Sequence, residues 1–174
     1  MKINLIAIIF LLNINLFSQA DDKIIESQLK WDKVKVAAVQ LIAPSEGDPS
    51  DVVVKYIKKA ASDSVQLVVF PEYHLGYVNK DDPKVLKVSA AAKENKIYVI
   101  VGCFEVFSDS SYANTALLFG RDGSIEGRHK KVHPAVGVDP YYWPPKDDDV
   151  EWKMKKGETF DVFDLDFARI GILT

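Results

Sequence analysis

The 174-residue chain has a single cysteine, Cys103. A lone thiol cannot close an internal disulfide, so stability has to come from the core. Histidines are also few, three in all with no cysteine beside them, which argues against metal even though His129 and His133 flank one short stretch. No glycine-rich loop follows the first apolar run; Leu41-Ile42-Ala43-Pro44-Ser45 stands there instead, and a nucleotide-binding domain is discounted. An excess of positive charge is lacking too. With a formal net charge of −3 the chain is a poor partner for nucleic acid. Internal repeats, low-complexity tracts and the composition of disorder are all missing.

What remains, 48% hydrophobic and 27% charged residues, describes one soluble globular domain able to bury a core. Residues 1–20 stand apart. Lys2 precedes an apolar stretch broken only by Asn4, Asn13 and Asn15, and Ser18-Gln19-Ala20 comes just before Asp21-Asp22. That order predicts a cleaved secretory signal peptide and export to a periplasmic or extracellular space. The stretch is too short and too rich in amides for a stable membrane anchor. Cleavage after Ala20 would remove Lys2, taking the formal charge from −3 to −4. Residues 21–33 read as a polar lead-in, and residues 34–174 as the folded domain.

Within that domain, residues 34–42 and 65–70 have the β-branched, apolar character of strands buried on both faces. Asp48-Pro49 and Asp82-Pro83 each place a capping carboxylate before a first-turn proline, the start signal of a helix. Residues 97–107 form the next strand. Two strand-helix-strand units in succession imply an α/β fold with parallel pairing and right-handed crossovers. Hairpins follow over 112–119 and 125–132, and a last strand pair over 160–165 and 169–174. Between them residues 133–156, with Pro134, Pro140, Pro144 and Pro145, lack periodicity; a loop that long suggests a lid or binding element. Its triplet Asp147-Asp148-Asp149 is read as a solvated loop.

Glu72 closes the run Val65-Gln66-Leu67-Val68-Val69-Phe70-Pro71-Glu72. Pro71 cannot donate to a ladder and ends the strand, so the carboxylate sits at the carboxyl end of an interior strand, where ligands gather in open α/β sheets. Farther on, strand periodicity puts His129, Lys131 and His133 on one face and Lys130 on the other, so one lysine of the pair can face a crevice. Tyr73, His74 and Tyr77 are candidates to line a pocket beside Glu72. Cys103, inside an apolar strand, reads as a small hydrophobe.

These residues resemble the carbon-nitrogen hydrolase, or nitrilase, superfamily. Val36-Ala37-Ala38-Val39-Gln40 is similar to the opening strand, Phe70-Pro71-Glu72 to the glutamate motif, and Gly102-Cys103-Phe104-Glu105 to a Gly-x-x-Glu segment. Tyr112-Ala113-Asn114-Thr115-Ala116 with Asp122-Gly123 resembles the hairpin after it. Lys130-Lys131-Val132-His133 resembles the lysine motif, and Arg169-Ile170-Gly171-Ile172-Leu173-Thr174 the strand leading into the nucleophile. The resemblance implies a four-layer αββα sandwich, incomplete at its C-terminal end. It also implies a Glu-Lys-Cys site: Glu72 as general base, Lys131 stabilising the oxyanion, Glu151 and Glu105 in support.

The implied substrate is a small-molecule amide, carbamoyl compound or nitrile, attacked by a thiolate to give a thioester, without cofactor or metal. In the family the cysteine directly follows the last of these strands. The nucleophile is therefore expected just past Thr174, the 174 residues alone are expected to be inactive, and the full-length protein to be a homo-oligomer. A non-catalytic relative and an acyltransferase using the same thioester are the alternatives.

Overall fold

The computed structural model describes residues 33–42, 44, 46–135 and 150–174. The expected signal peptide and the aspartates at 147–149 lie outside the described residues. No helix among those described is long and apolar enough to cross a membrane.

Both helices begin where the capping chemistry predicts. In α1 (Pro49–Ser62) the Asp48 carboxylate accepts from the Ser50 amide at 2.9 Å, and in α2 (Pro83–Asn95) Asp82 accepts from the Lys84 amide at 2.9 Å. Lys96 ends α2 in the left-handed region, φ 51°. In chain order the helices fall between the parallel strands β1 (Val36–Ala38), β2 (Leu67–Val69) and β4 (Tyr98–Val106), as the crossover connections of parallel pairs require. The antiparallel strands β5 (Tyr112–Phe119) and β6 (Ile125–Lys130) extend the same mixed sheet in the order β1-β2-β4-β5-β6.

A two-residue strand that the sequence does not announce, β3 (Tyr77–Val78), also pairs parallel with β4. It continues the line of β2 along the same edge of β4: β2 meets residues 98–100, and β3 meets Phe104 and Glu105. The chain between them has to bulge outward.

The sheet is apolar on both faces, which is why its central strands read as unbroken hydrophobic runs. On one face Val68, Val99, Val101 and Leu117 meet Val53 and Ile57 of α1 and Val85 and Val88 of α2. On the other, Leu67, Tyr98, Ile100 and Leu118 meet Leu165, Phe167 and Ile172, carried around the antiparallel pair β7 (Val162–Asp164) and β8 (Arg169–Gly171). Each such side chain, fully buried, contributes about 1.5–3 kcal/mol. Gly127 makes room for this second layer, because a Cβ there would stand 2.3 Å from the Phe163 ring. Helices on one face and a strand pair on the other are what the described residues display; a further helical layer is not among them.

Candidate active site

The bulge between β2 and β3 carries Glu72. The Phe70 amide still donates to Ile100 O at 2.8 Å, and the ladder resumes when the Leu75 amide donates to Gly102 O at 3.1 Å. In between, the chain turns through Tyr73, whose φ of 60° lies in the left-handed region that an aromatic residue seldom occupies. Gly102 permits this turn. A Cβ there would lie 2.6 Å from Glu72 Cα, 2.7 Å from Pro71 O and 2.8 Å from Tyr73 N, all backbone atoms that cannot rotate aside.

Lys131 arrives from the far edge of the sheet. It follows β6 directly, and its amide prolongs the ladder by donating to Asn114 O at 2.8 Å. Strand alternation then holds Lys131 on the face of Asn114 and Phe104, and turns Lys130 to the other, where its ammonium lies over the Phe107 ring. Glu151 comes from the turns at residues 150–152, a stretch fastened to the sheet by Lys155 N to Tyr112 O at 2.7 Å and Gly157 N to Lys131 O at 2.9 Å. All these positions meet on one face of the sheet, past the carboxyl end of β2 and over residues 102–104 of β4.

There the side chains form one connected cluster. Lys131 Nζ donates to Glu72 Oε1 at 3.0 Å and to Glu151 Oε1 at 2.9 Å. Asn114 Nδ2 donates to Glu72 Oε1 at 2.6 Å and to the Tyr73 hydroxyl at 2.7 Å, and that hydroxyl donates to Glu151 Oε1. Glu151 Oε2 accepts from the Ala135 amide. Glu72 is the most open of the three charged groups, its side chain 37% exposed against 9% for Lys131 and 10% for Glu151.

Burial pulls the Lys131 ammonium down, but the bonds to Glu151 and Glu72 outweigh it and hold the group above its ordinary 10.5. Burial likewise pushes Glu151 up, and the donors Tyr73, Lys131 and Ala135 override this, leaving the carboxyl below its ordinary 4.5. For Tyr73, burial, the bond to Glu151 and the charge of Glu72 all act upward, so it stays a neutral phenol.

The other sequence candidates lie elsewhere. Glu105 is on the opposite face of β4 from Phe104, buried beside the helices and paired with Arg128 Nε at 2.9 Å, so it does not support the cluster. Strand alternation alone separates it from Glu72. His74 is buried against the Phe70 ring, its nitrogens without a hydrogen-bond partner among the described residues, and does not line the cluster. Burial holds it below the ordinary histidine value. Tyr77 is half exposed and stacks on Phe104, which in turn stacks on Tyr73 at 4.3 Å. His133 is exposed and stacks on Phe160. Cys103 sits on the helix side, fully buried, and burial pushes its thiol up to about 12. Asn114 is the member that residue-type reasoning passes over; its place opposite Phe104 on β5, one strand from Lys131, is the pattern that reveals it. Among the described residues no group of three His, Cys, Asp or Glu side chains could hold a metal ion.

Known proteins resemble this chain in sequence and in fold. The family model described as carbon-nitrogen hydrolase matches residues 35–174. The omega-amidase NIT2-B of Xenopus laevis is 28% identical over 159 residues, covering 80% of this chain and 54% of that protein. Nitrilase 1 of Arabidopsis thaliana is 25% identical over 169 residues, 79% of this chain and 46% of its own length. The chain thus spans about half the length of the curated relatives it matches. Among solved structures, an amidase from Nesterenkonia sp. superposes with a TM-score of 0.62 at 16% identity, over 79% of this chain and 54% of that one. Saccharomyces cerevisiae Nit3 gives 0.60 at 20% identity, over 80% of this chain and 54% of its own. At such identities the superpositions speak for the fold, and the family match covers nearly all of the described chain: it belongs to the carbon-nitrogen hydrolase family.

Proposed function

We propose that the cluster is the base and oxyanion half of an amide-hydrolysing Glu-Lys-Cys site. The observation that carries this reading is a count of hydrogen-bonding positions. Glu72 Oε1 takes both donors, Asn114 and Lys131, while Oε2 has no partner among the described residues and is open to a thiol proton. An ammonium has three N–H groups; two of Lys131's are spent on Glu72 and Glu151, so the third is left for a developing oxyanion. A preorganised donor of that kind is typically worth about 3 kcal/mol.

The reaction follows from these positions. A cysteine thiol gives its proton to Glu72 Oε2 as sulfur attacks the amide carbon. Negative charge gathers on the former carbonyl oxygen beside Lys131 Nζ. Collapse breaks the carbon–nitrogen bond, ammonia or amine leaves with the proton held by Glu72, and a thioester remains. Water then attacks, losing a proton to Glu72; the expelled sulfur takes that proton back and the acid departs.

Cys103 is unsuited to this role, being buried on the helix side with its thiol pushed up to about 12. The nucleophile in this reading is a cysteine following Thr174. Ile172 supports that placement, since it packs in the same apolar cluster as Leu67 of β2, the strand that delivers Glu72. A related fold offers a parallel: a mutant of the amidase from Nesterenkonia sp. AN1 shows the result of Michael addition of acrylamide at the active site cysteine. Residues 1–174 alone should release no ammonia from small primary amides. Release by that chain carrying Cys103→Ala would overturn the assignment.

A further inference from the structure

Asn114 does more than its type suggests. It is 1% exposed, and its donor directions are fixed by its neighbours: a carboxylate can only accept, so Nδ2 must face Glu72. The Tyr73 hydroxyl spends its one proton on Glu151 and must therefore accept from Asn114. Both N–H bonds of one carboxamide are used, one on Glu72 directly and one on Glu151 by way of Tyr73. The backbone of the same residue holds the third charged group, because Asn114 O accepts the Lys131 amide at 2.8 Å.

We infer that Asn114 is the positioning residue of this site, setting both carboxylates against Lys131. It locks Oε1 of Glu72 inward, so that Oε2 is the atom presented to the thiol. This rests on the functional reading above for its purpose, though not for its geometry. Without Asn114, Glu72 keeps Lys131 as its one partner at a side chain already 37% exposed, and it samples other rotamers. Lys131 then spends part of its time without one of the two bonds that raise it.

The test uses the 174-residue chain and no substrate. In Asn114→Leu, which keeps the number of side-chain heavy atoms while removing both donors, the Glu72 γ-methylene NMR signals should become rotamer-averaged. Competitive acetylation of Lys131 at pH 9 should quicken severalfold, because an ammonium with one bond fewer to a carboxylate loses its proton more readily. Thr115→Val removes a neighbouring buried hydroxyl on the other face and should change neither readout. If Asn114→Leu does not fold, Asn114→Ala removes both N–H donors without adding bulk, and the Glu72 signals are read in it. A folded variant with Glu72 still in one rotamer and unchanged Lys131 labelling overturns the inference. Failure of a cysteine-bearing chain to hydrolyse amides would overturn the functional reading instead, leaving these two readouts untouched.

Discussion

Replacing Gly102 by alanine tests how the Glu72 turn is held. The new Cβ would lie 2.6 Å from Glu72 Cα, 2.7 Å from Pro71 O and 2.8 Å from Tyr73 N. Ordinary van der Waals contact needs about 3.4–4 Å, so the turn or β4 must give by roughly 0.8 Å. Neither side is a flexible side chain. The turn is pinned on both flanks by Phe70 N to Ile100 O at 2.8 Å and Leu75 N to Gly102 O at 3.1 Å, and β4 is an interior strand. Overpacking against rigid surroundings costs about 1–3 kcal/mol, and rigid backbone places this case near the upper end. For a domain of this size that corresponds to a fall in melting temperature of roughly 5–12 °C. Urea unfolding followed by circular dichroism measures it, with Gly171→Ala as control, where a Cβ meets nothing within 4 Å and the change should stay within about 0.5 kcal/mol. A Gly102→Ala chain as stable as the control, with Glu72 still bonded to Lys131, would refute the close-approach argument. In a chain bearing the nucleophile, a displacement near 1 Å of the base should lower turnover by about 10²-fold.

Other perturbations probe separate links. Cys103, buried with its thiol pushed up to about 12, should react with a disulfide reagent at pH 8 at least about 10³-fold more slowly in the native than in the denatured chain; comparable rates would contradict its burial. Glu151 is held below 4.5, so its stabilising contribution is present above that value and lost as pH falls through the lowered one. Acid unfolding of Glu151→Gln should therefore depend less on pH below about 4.5 than that of the parent chain, and an equal slope would count against the ionised cluster. In Gly127→Ala the added methyl meets the Phe163 ring, and a loss of about 1–3 kcal/mol on urea unfolding is expected; no loss would mean that β7 does not pack as described.

Much of this molecule can be read from local chemistry. The Asp-Pro pairs start both helices, and unbroken apolar runs become β2 and β4 because each is covered on two faces. Glu72 and Lys131 can be located because strand ends and strand parity are period-two properties. The departures arise where position depends on pairing across the chain. Residues 77–78 become a strand because β4 offers an open edge beyond β2, and two residues hold too little pattern to announce that. Glu105 follows Phe104 by one residue, so the pleat sends it away from the cluster toward Arg128. Asn114 looks ordinary in a hairpin strand until β6 brings Lys131 alongside it. Gly102 is similar: its necessity lies in the Glu72 turn crossing over it.

The central claim is that Glu72 serves as the base that activates a cysteine beyond Thr174. Its most direct test is ammonia release from a small primary amide by a chain that continues with that cysteine, compared with its Glu72→Gln variant at equal concentration. Release by the parent is expected, with a loss of about 10²–10⁴-fold in the variant, the usual worth of a positioned general base. Equal rates in the two would contradict it.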